Sequence, residues 1–321
     1  MPPALTQTAW DEELARRSQP PPLAQCWGYG EVQAREGWQV QRVDLGRCVA
    51  QVQLQGAGPT RWAYVPRGPV PAGEEELKAL VEWARGERLC RLRVEPEAPA
   101  EFGDAAAAMG FGPHPSFQPQ HTMIVRLGPE DEMLASFKTK HRYNIRLALR
   151  KGVVVEETDD VEELERQHAH TARRQGIRPP TVAHYRRRLE LLPWCRVYVA
   201  RVEGEAVAAI MVTRFGGRAY YLFGGSGERH RQLMPSYAIQ WAAMRAAAEA
   251  GCVDYDLWGV PPTGDDPSHP WHGLWQMKSG FNGTLVEYAG AWDLVLSPLR
   301  VLLGEGVHKT GKALATLVKK R

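Results

Sequence analysis

The sequence predicts an α/β protein of the α+β type, with mixed sheets in two domains built to one plan. Two observations carry this. At 321 residues the chain exceeds what a typical single core organises. The order helix, strand, helix, Gly-Phe, strand then occurs twice. In the first half a helix opens at Gly73-Glu-Glu-Glu and runs to Arg85; its first-turn acids suit the positive end of a helix dipole. Cys90-Arg-Leu-Arg-Val94-Glu alternates polar with apolar residues and reads as a strand. An alanine-rich helix stops at Met109-Gly110-Phe111, and the strand His121–Arg126 closes the segment. In the second half Tyr220–Phe223 is a strand, and Pro235 to Ala250 is a helix ending at Gly251. Val253 to Val260 is a strand, His272 to Ser279 a short helix stopped by Gly280-Phe281, and Thr284 to Trp292 a last strand. The repeat puts the domain boundary near residue 140.

Composition excludes several classes. No apolar run reaches the roughly 18 residues of a membrane span, and Met1-Pro-Pro-Ala-Leu-Thr has neither the charged nor the apolar region of a secretory signal. The five cysteines (Cys26, Cys48, Cys90, Cys195, Cys252) are far apart, without a Cys-x-x-Cys pair. A reducing, cytoplasmic setting without a disulfide framework or structural zinc is expected. Asp265, Asp266, His269 and His272 match no standard ligand spacing, and Pro267 and Pro270 break helical presentation, so no metal is expected. Neither a Gly-x-Ser-x-Gly nor a phosphate-binding Walker loop occurs, which removes support for nucleophilic catalysis and ATP use.

The net charge is only +3, but it is unevenly spread. From Lys138 to Lys151 there is no acid, and Lys138, Arg142, Arg146 and Arg150 recur every four residues. On a helix they form one basic stripe, with Phe137, Ile145 and Leu149 off it and facing a core. Without acidic partners the stripe repels itself unless a polyanion or neighbouring carboxylates offset it; the alternative is a solvated face. Further basic clusters run through Arg173, Arg174, Arg178 and Arg186–Arg188, and from His308 to Arg321. A phosphate-rich partner fits all three.

Lys278 is the only lysine between Lys151 and Lys309 in a chain that elsewhere prefers arginine. A compact, rotatable ammonium there suits a chemical role better than a planar fork does; the alternative is an ordinary surface lysine. It follows a strand, Val253–Val260, that ends in a loop, where sites are commonly built.

The order of elements resembles the GCN5-related N-acetyltransferase fold, in two tandem copies. Acetyl-CoA members of that fold cradle a diphosphate on backbone amides before their central helix. The matching segment here, Arg229-His-Arg-Gln-Leu-Met-Pro235-Ser-Tyr237, has no glycine, and Pro235 has no amide to donate. A coenzyme A donor is therefore not expected.

Five segments are similar to the FemABX family: Tyr64-Val-Pro-Arg-Gly-Pro69-Val, Ser136-Phe-Lys-Thr-Lys-His-Arg142-Tyr-Asn144-Ile-Arg146, Leu233-Met-Pro235-Ser-Tyr237, Tyr255-Asp-Leu-Trp258-Gly259-Val and His269-Pro-Trp-His-Gly273-Leu-Trp-Gln-Met-Lys278-Ser-Gly-Phe281. The resemblance covers nearly the whole chain. It implies two tandem acetyltransferase-like domains, residues 1–139 with 293–321 and residues 140–292, of the compact type without a helical-hairpin insertion. It implies transfer of an amino acid from aminoacyl-tRNA to an amine on the stem peptide of a UDP-linked or lipid-linked peptidoglycan precursor. No cofactor is implied, and any contact with the inner membrane surface is transient, without a stable span. Lys278 would be the catalytic residue, stabilising the oxyanion or anchoring the acceptor end of the tRNA. Lys138, Arg142, Arg146 and Arg150 would bind tRNA. Arg178, Tyr185, Tyr221, Tyr237 and Trp258 would bind the precursor. Gln33 stands where the resemblance implies a phosphate-binding lysine, with Arg35 close by to serve instead. The alternatives from the same residues are an acyltransferase of this fold with another donor or a protein acceptor, and a non-catalytic RNA-binding module.

Overall fold

A computed structural model describes residues 5–174, 178–262, 264–269 and 271–304. The basic run from His308 to Arg321 lies outside the described residues. The chain divides into two units, one reaching Gln118 and resuming at Tyr288, the other spanning Pro119–Glu287.

The first unit opens with α1 (Gln7–Arg17) and α2 (Trp27–Arg35). Then come β1 (Gln39–Asp44), β2 (Val49–Gln55), β3 (Trp62–Pro66), α3 (Glu74–Gly86), β4 (Arg91–Glu95), α4 (Phe102–Ala108) and a three-residue β5 (Gly112–His114). Strand alternation sorts two faces. Ala63 and Val65 of β3 and Leu92 and Val94 of β4 join Leu77, Leu80, Val81 and Ala84 of α3 in the core. The heptad-like spacing of those α3 residues gives one apolar stripe facing the sheet.

The second unit begins with β6 (His121–Arg126), α5 (Glu130–Ser136), α6 (Thr139–Arg150), β7 (Val154–Thr158), α7 (Val161–Arg174) and α8 (Val182–Leu191). It continues through β8 (Arg196–Val202), β9 (Glu205–Phe215), β10 (Arg218–Ser226), α9 (Pro235–Glu249), β11 (Asp254–Gly259), α10 (His272–Ser279) and β12 (Thr284–Glu287). Its core joins Ala238, Ile239, Trp241, Ala243 and Met244 of α9 to β8 and β9, with Phe137 and Ile145 closing it from the α6 side. His141, Asn144, Ile145 and Ala148 form the buried face of α6. Leu149, expected in the core, is 50% exposed: one turn after Ile145 and about 40° further round the helix, on the side away from Ala148, it falls at the edge of the buried face.

The last strand, β13 (Ala291–Val295), returns to the first sheet, whose order is β1-β2-β3-β4-β13-β5. The second sheet runs β12-β6-β11-β10-β9-β8-β7. The two share a pattern. In each, the parallel pair (β3 with β4, β10 with β11) is followed by two antiparallel neighbours. The middle neighbour comes from the chain just after the other sheet's edge strand: β6 follows β5 but pairs in the second sheet, and β13 follows β12 but pairs in the first.

This exchange moves three sequence expectations. The strand at His121–Arg126 belongs to the second sheet, between β11 and β12. The stretch from Thr284 to Trp292 is two strands in different sheets, separated at Gly290, whose φ of +76° is open mainly to glycine. The units part at 118/119 and 287/288, earlier than the expected 139/140 and 292/293, because β6 with the α5–α6 segment goes with the second sheet. β13 is fixed by a bidentate ion pair: Arg93 donates to Asp293 at 2.6 and 2.7 Å.

Phe281 joins the pieces of the second unit. It is fully buried, with ring centroids 5.2 Å from Phe137 and 5.0 Å from His141. Phe281→Ala is expected to lower the unfolding free energy by about 3–5 kcal/mol. Urea unfolding checks this, and a loss under about 1 kcal/mol would show that the α6–α10 contact does not need the ring.

Candidate functional site

Strands β10 and β11 run parallel for only three residue pairs, Arg218↔Asp254 to Tyr220↔Asp256, and then separate. Both are irregular where they part. β10 shifts register against β9 between Tyr221 and Phe223, and β11 shifts against β6 between Asp256 and Gly259. Such irregularities re-aim side chains and free backbone groups from the ladder. The residues at this opening are Tyr221, Trp258 and the carbonyl of Gly259.

Lys278 fills the space from α10. It is 3% exposed, and its Nζ donates to the Gly259 carbonyl at 2.8 Å. Nζ also stands 5.4 Å from the ring centroid of Tyr221. Burial pushes the ammonium down to about 7, against an upward pull from the charge of Asp256. Lys278 is thus not a surface lysine. Near neutral pH it exchanges between a proton donor and a free amine, the property a general acid–base needs.

Trp258 has a φ of +63°, which a bulky L-residue adopts only at a cost of about 1–3 kcal/mol. The Asp256 carboxylate holds it there: Oδ1 accepts the Trp258 amide at 2.7 Å and also the Thr122 hydroxyl. The Trp258 ring lies 6.2 Å from Tyr220, edge to face.

Helix α6 begins against the end of α10. The Lys138 amide donates to the Gly280 carbonyl at 2.9 Å. The His141 ring nitrogen Nε2 meets the Met277 carbonyl at 2.8 Å, one residue before the lysine. His141 is also pinned by Tyr237, 4.8 Å away edge to face. A methyl on Gly280 would sit 1.7 Å from the His141 ring, so only glycine permits this approach. Burial lowers the His141 pKa, keeping the ring neutral, and Nδ1 has no hydrogen-bond partner.

The structure thus brings Lys278, Tyr221, Trp258 and Tyr237 into one neighbourhood. Tyr185 is fully buried; its hydroxyl is 2.6 Å from His168 Nδ1 and its ring 5.3 Å from Phe223, so it serves a packed aromatic cluster of α7, α8 and β10. Arg178 is exposed between α7 and α8, and Arg35 is exposed at the end of α2. In the first unit the cation beside the Trp27-Gly segment is Arg42: it lies 3.5 Å over the Trp27 ring and donates to the Trp27 carbonyl and Glu31. Of the basic stripe, Lys138, Arg146 and Arg150 are exposed. Arg142 folds back onto the Ala135 and Phe137 carbonyls and the Thr139 hydroxyl, tying off α5.

Sequence reasoning missed Asp256, Thr122 and His141. Asp256 lies inside a quoted motif, but nothing in the spacing separates it from Asp254. His141 was hidden by the cations around it. Asp266 accepts from the Ser268 amide and hydroxyl at 2.8 and 2.7 Å, and no group of three potential metal ligands occurs among the described residues. A cavity of about 370 Å³ on α7, lined by Glu163, Arg166, His170 and Arg173, shares none of the residues around Lys278.

The N-terminus of α9 offers no anion cradle. Pro235 lacks an amide proton, and the Tyr237 amide is spent on the Met234 carbonyl at 3.0 Å. Fold and site together define a tandem acetyltransferase-fold protein with a buried amine in place of a diphosphate loop.

A model of the FemAB family matches residues 198–309. The lipid II:glycine glycyltransferase of Staphylococcus aureus is 24% identical across 93% of this chain and 94% of its own length. That alignment spans 397 positions against 321 residues here, so the relative carries segments this chain lacks. The crystal structure of FemX superposes with a TM-score of 0.81 at 22% identity, covering 94% of this chain and 98% of that one. A tandem GNAT protein from the clavulanic acid biosynthesis pathway gives a TM-score of 0.51 at 15% identity over 89% and 92% of the chains. The match to the FemAB family model covers the C-terminal part of the chain, and the fold is that of two GNAT-like domains. No helix among the described residues is long and apolar enough to cross a membrane.

Burial of Lys278 sets a pH signature. Its folded pKa of about 7 lies below the ordinary lysine value, so between pH 7 and about 10.5 the unfolded chain holds a proton the folded one lacks. Stability from this group therefore rises with pH across that window. Lys278→Met is expected to lose the rise. The wild type should gain on it by up to about 1.4 kcal/mol per pH unit between pH 7 and 10. Urea unfolding of both proteins at several pH values checks this, and a pH-independent difference would place Lys278 in solvent.

Proposed function

We propose that this protein is an aminoacyltransferase that moves an amino acid from aminoacyl-tRNA to an amine on the stem peptide of a peptidoglycan precursor. The observation that carries the reading is the buried amine of Lys278, held at the parting of β10 and β11 and poised near neutral pH. Homology to a lipid II:glycine glycyltransferase supports peptidoglycan bridge formation as the class of reaction.

The donor ester is already activated, so no ATP or metal has to enter. The acceptor amine attacks the ester carbonyl and a C–N bond forms. Lys278, as the free amine, takes the proton that the nitrogen must shed. As the ammonium it then gives a proton to the departing ribose oxygen when the C–O bond breaks. In between, its charge stabilises the tetrahedral oxyanion. The exposed cations Lys138, Arg146 and Arg150 suit the tRNA backbone. Their helix starts on the Gly280 carbonyl, two residues from the reactive lysine, which couples donor binding to the site. Tyr221, Tyr237 and Trp258 supply aromatic surface for the precursor, and Arg178 and Arg35 are the exposed cations for its phosphates. The reading places the protein in the cytoplasm, where aminoacyl-tRNA is made, acting on soluble or lipid-linked precursor.

The test is transfer in vitro from a panel of radiolabelled aminoacyl-tRNAs to UDP-linked and lipid-linked precursor, read by mass spectrometry. One pair is expected to give a peptide-bonded product. Absence of product with every pair, alongside acylation of a protein or use of an acyl-CoA, would replace the reading. Lys278→Met should cut the single-turnover rate by about 10²- to 10³-fold with little change in precursor affinity. Lys278→Arg should recover little, since a guanidinium does not release its proton. The wild-type rate should rise through a limb centred near pH 7, where the free amine appears, and the methionine variant should lack that limb.

Donor binding should weaken steeply with salt, as phosphate contacts release counterions. The triple substitution of Lys138, Arg146 and Arg150 by alanine should flatten the slope by up to about 3. Filter binding across a salt series checks this, and an unchanged slope would move the tRNA to another face. Coenzyme A should not bind in the low-micromolar range by calorimetry.

A further inference from the structure

The Lys278 ammonium donates to the Gly259 carbonyl. That carbonyl faces the lysine only because β11 leaves its ladder between Asp256 and Gly259. The departure is local: Tyr255↔Val125 and Asp256↔Ile124 are still paired, and Gly259↔Thr122 pairs again after the shift. Between them stands Trp258 in the left-handed region, where neither strand geometry nor residue type would place it. One side chain spans the break. Asp256 is 3% exposed, and its Oδ1 accepts the Trp258 amide, two residues on, and the hydroxyl of Thr122 on β6. The first bond is an Asx-type turn that closes the chain on itself, and the second pins that turn to the neighbouring strand.

We propose that Asp256 is a positioning residue, whose carboxylate fixes the Trp258 turn against Thr122 and thereby presents the Gly259 carbonyl that holds the Lys278 amine in place. The inference rests on the reading of Lys278 as the reactive amine, and it names what sets that amine's position and charge. The groups around Lys278 make the second effect specific. Tyr221 on β10 and Tyr255 on β11 are pushed up by burial and His141 on α6 is pushed down, so all three are neutral near pH 7. Tyr237 on α9 packs edge to face on His141. Asp256 is the carboxylate whose charge favours the protonated lysine. The same residue therefore acts twice, through the turn and through its field.

Two substitutions separate these. Asp256→Asn keeps an Oδ1 acceptor for the turn and removes the charge. Asp256→Ala removes both. The readout is the titration of Lys278 itself in the full-length protein, by NMR of ¹³C-labelled lysine, with the signal assigned through Lys278→Met; nine lysines make the spectrum tractable. The wild-type signal is expected to titrate near pH 7. In the asparagine variant the midpoint should fall, because the favourable charge is gone while the site stays closed. In the alanine variant it should climb toward the ordinary lysine value as the carbonyl turns away and water reaches the amine. Unchanged midpoints in both folded variants would overturn the proposal. Should the alanine variant fail to fold, Thr122→Val replaces it, since it takes away the hydroxyl that pins the turn and leaves the carboxylate charge: a midpoint raised toward the ordinary lysine value supports the assignment and an unchanged one rejects it. Single-turnover transfer adds a second split, with the rate lowered at fixed precursor affinity in both variants. Titrations that move as expected in a protein that transfers nothing would reject the transferase reading and leave the positioning role standing.

Discussion

The constraint that organises the second unit is the burial of one ammonium against one carbonyl. A lone charged lysine in a protein interior is costly, and the usual remedy is a carboxylate in direct contact. Here the direct partner is the neutral Gly259 carbonyl, with Asp256 acting on Lys278 through its charge. The ammonium is consequently only partly compensated, and its proton is loosened into the neutral range. Everything around it serves that state. The ladder opens after Tyr220 and Asp256 so that a carbonyl is free, Tyr221 gives a π face, and α10 is held by His141 and Gly280 at the height that brings Nζ within bonding distance.

Strand exchange supplies one partner of this arrangement. β6 lies between β11 and β12, so Thr122 is in register to receive the strained turn. Had β6 stayed with the sheet it follows in sequence, β11 would present an unpaired edge there and Asp256 would have no hydroxyl to meet. The counterpart in the first unit, β13 between β4 and β5, carries Asp293 to Arg93. In both sheets, then, the incoming strand makes a polar side-chain contact across the strand it joins.

Much of this was legible in the sequence, and the gaps have physical causes. Periodicity and Gly-Phe punctuation gave α3, α4, α9 and α10 and the repeated order, because local patterns report local structure. They did not reveal that β6 and β13 change sheets, since pairing partners are a long-range property and both strands alternate like their neighbours. β5 escaped because three residues including a proline carry almost no pattern. Lys278 stood out as a lysine among arginines, Trp258 lay in a quoted motif, and Tyr221 was a candidate as an aromatic on the strand before Gly224-Gly225. Arg178 and Arg35 came from resemblance alone, and the structure shows both exposed. Arg142 shows why a charge stripe overstates a binding face: one of its four cations is consumed in closing the turn before its own helix.

Three local costs meet within a few residues: a bulky residue at positive φ in Trp258, a buried imidazole nitrogen without a partner in His141, and a buried amine that titrates far from its ordinary value. A chain selected only to fold would shed each of them. The first relaxes if residue 258 is glycine, the second disappears with an apolar ring of the same size at 141, and the third with methionine at 278. Each is also linked to the next through hydrogen bonds, Trp258 to Asp256 and His141 to the carbonyl beside Lys278. Other residues of the chain carry single costs of the same kinds, Trp194 at positive φ among them; around Lys278 three of them meet on one amine, in a unit otherwise closed by Phe137, Trp241 and Phe281, and that convergence marks the candidate site.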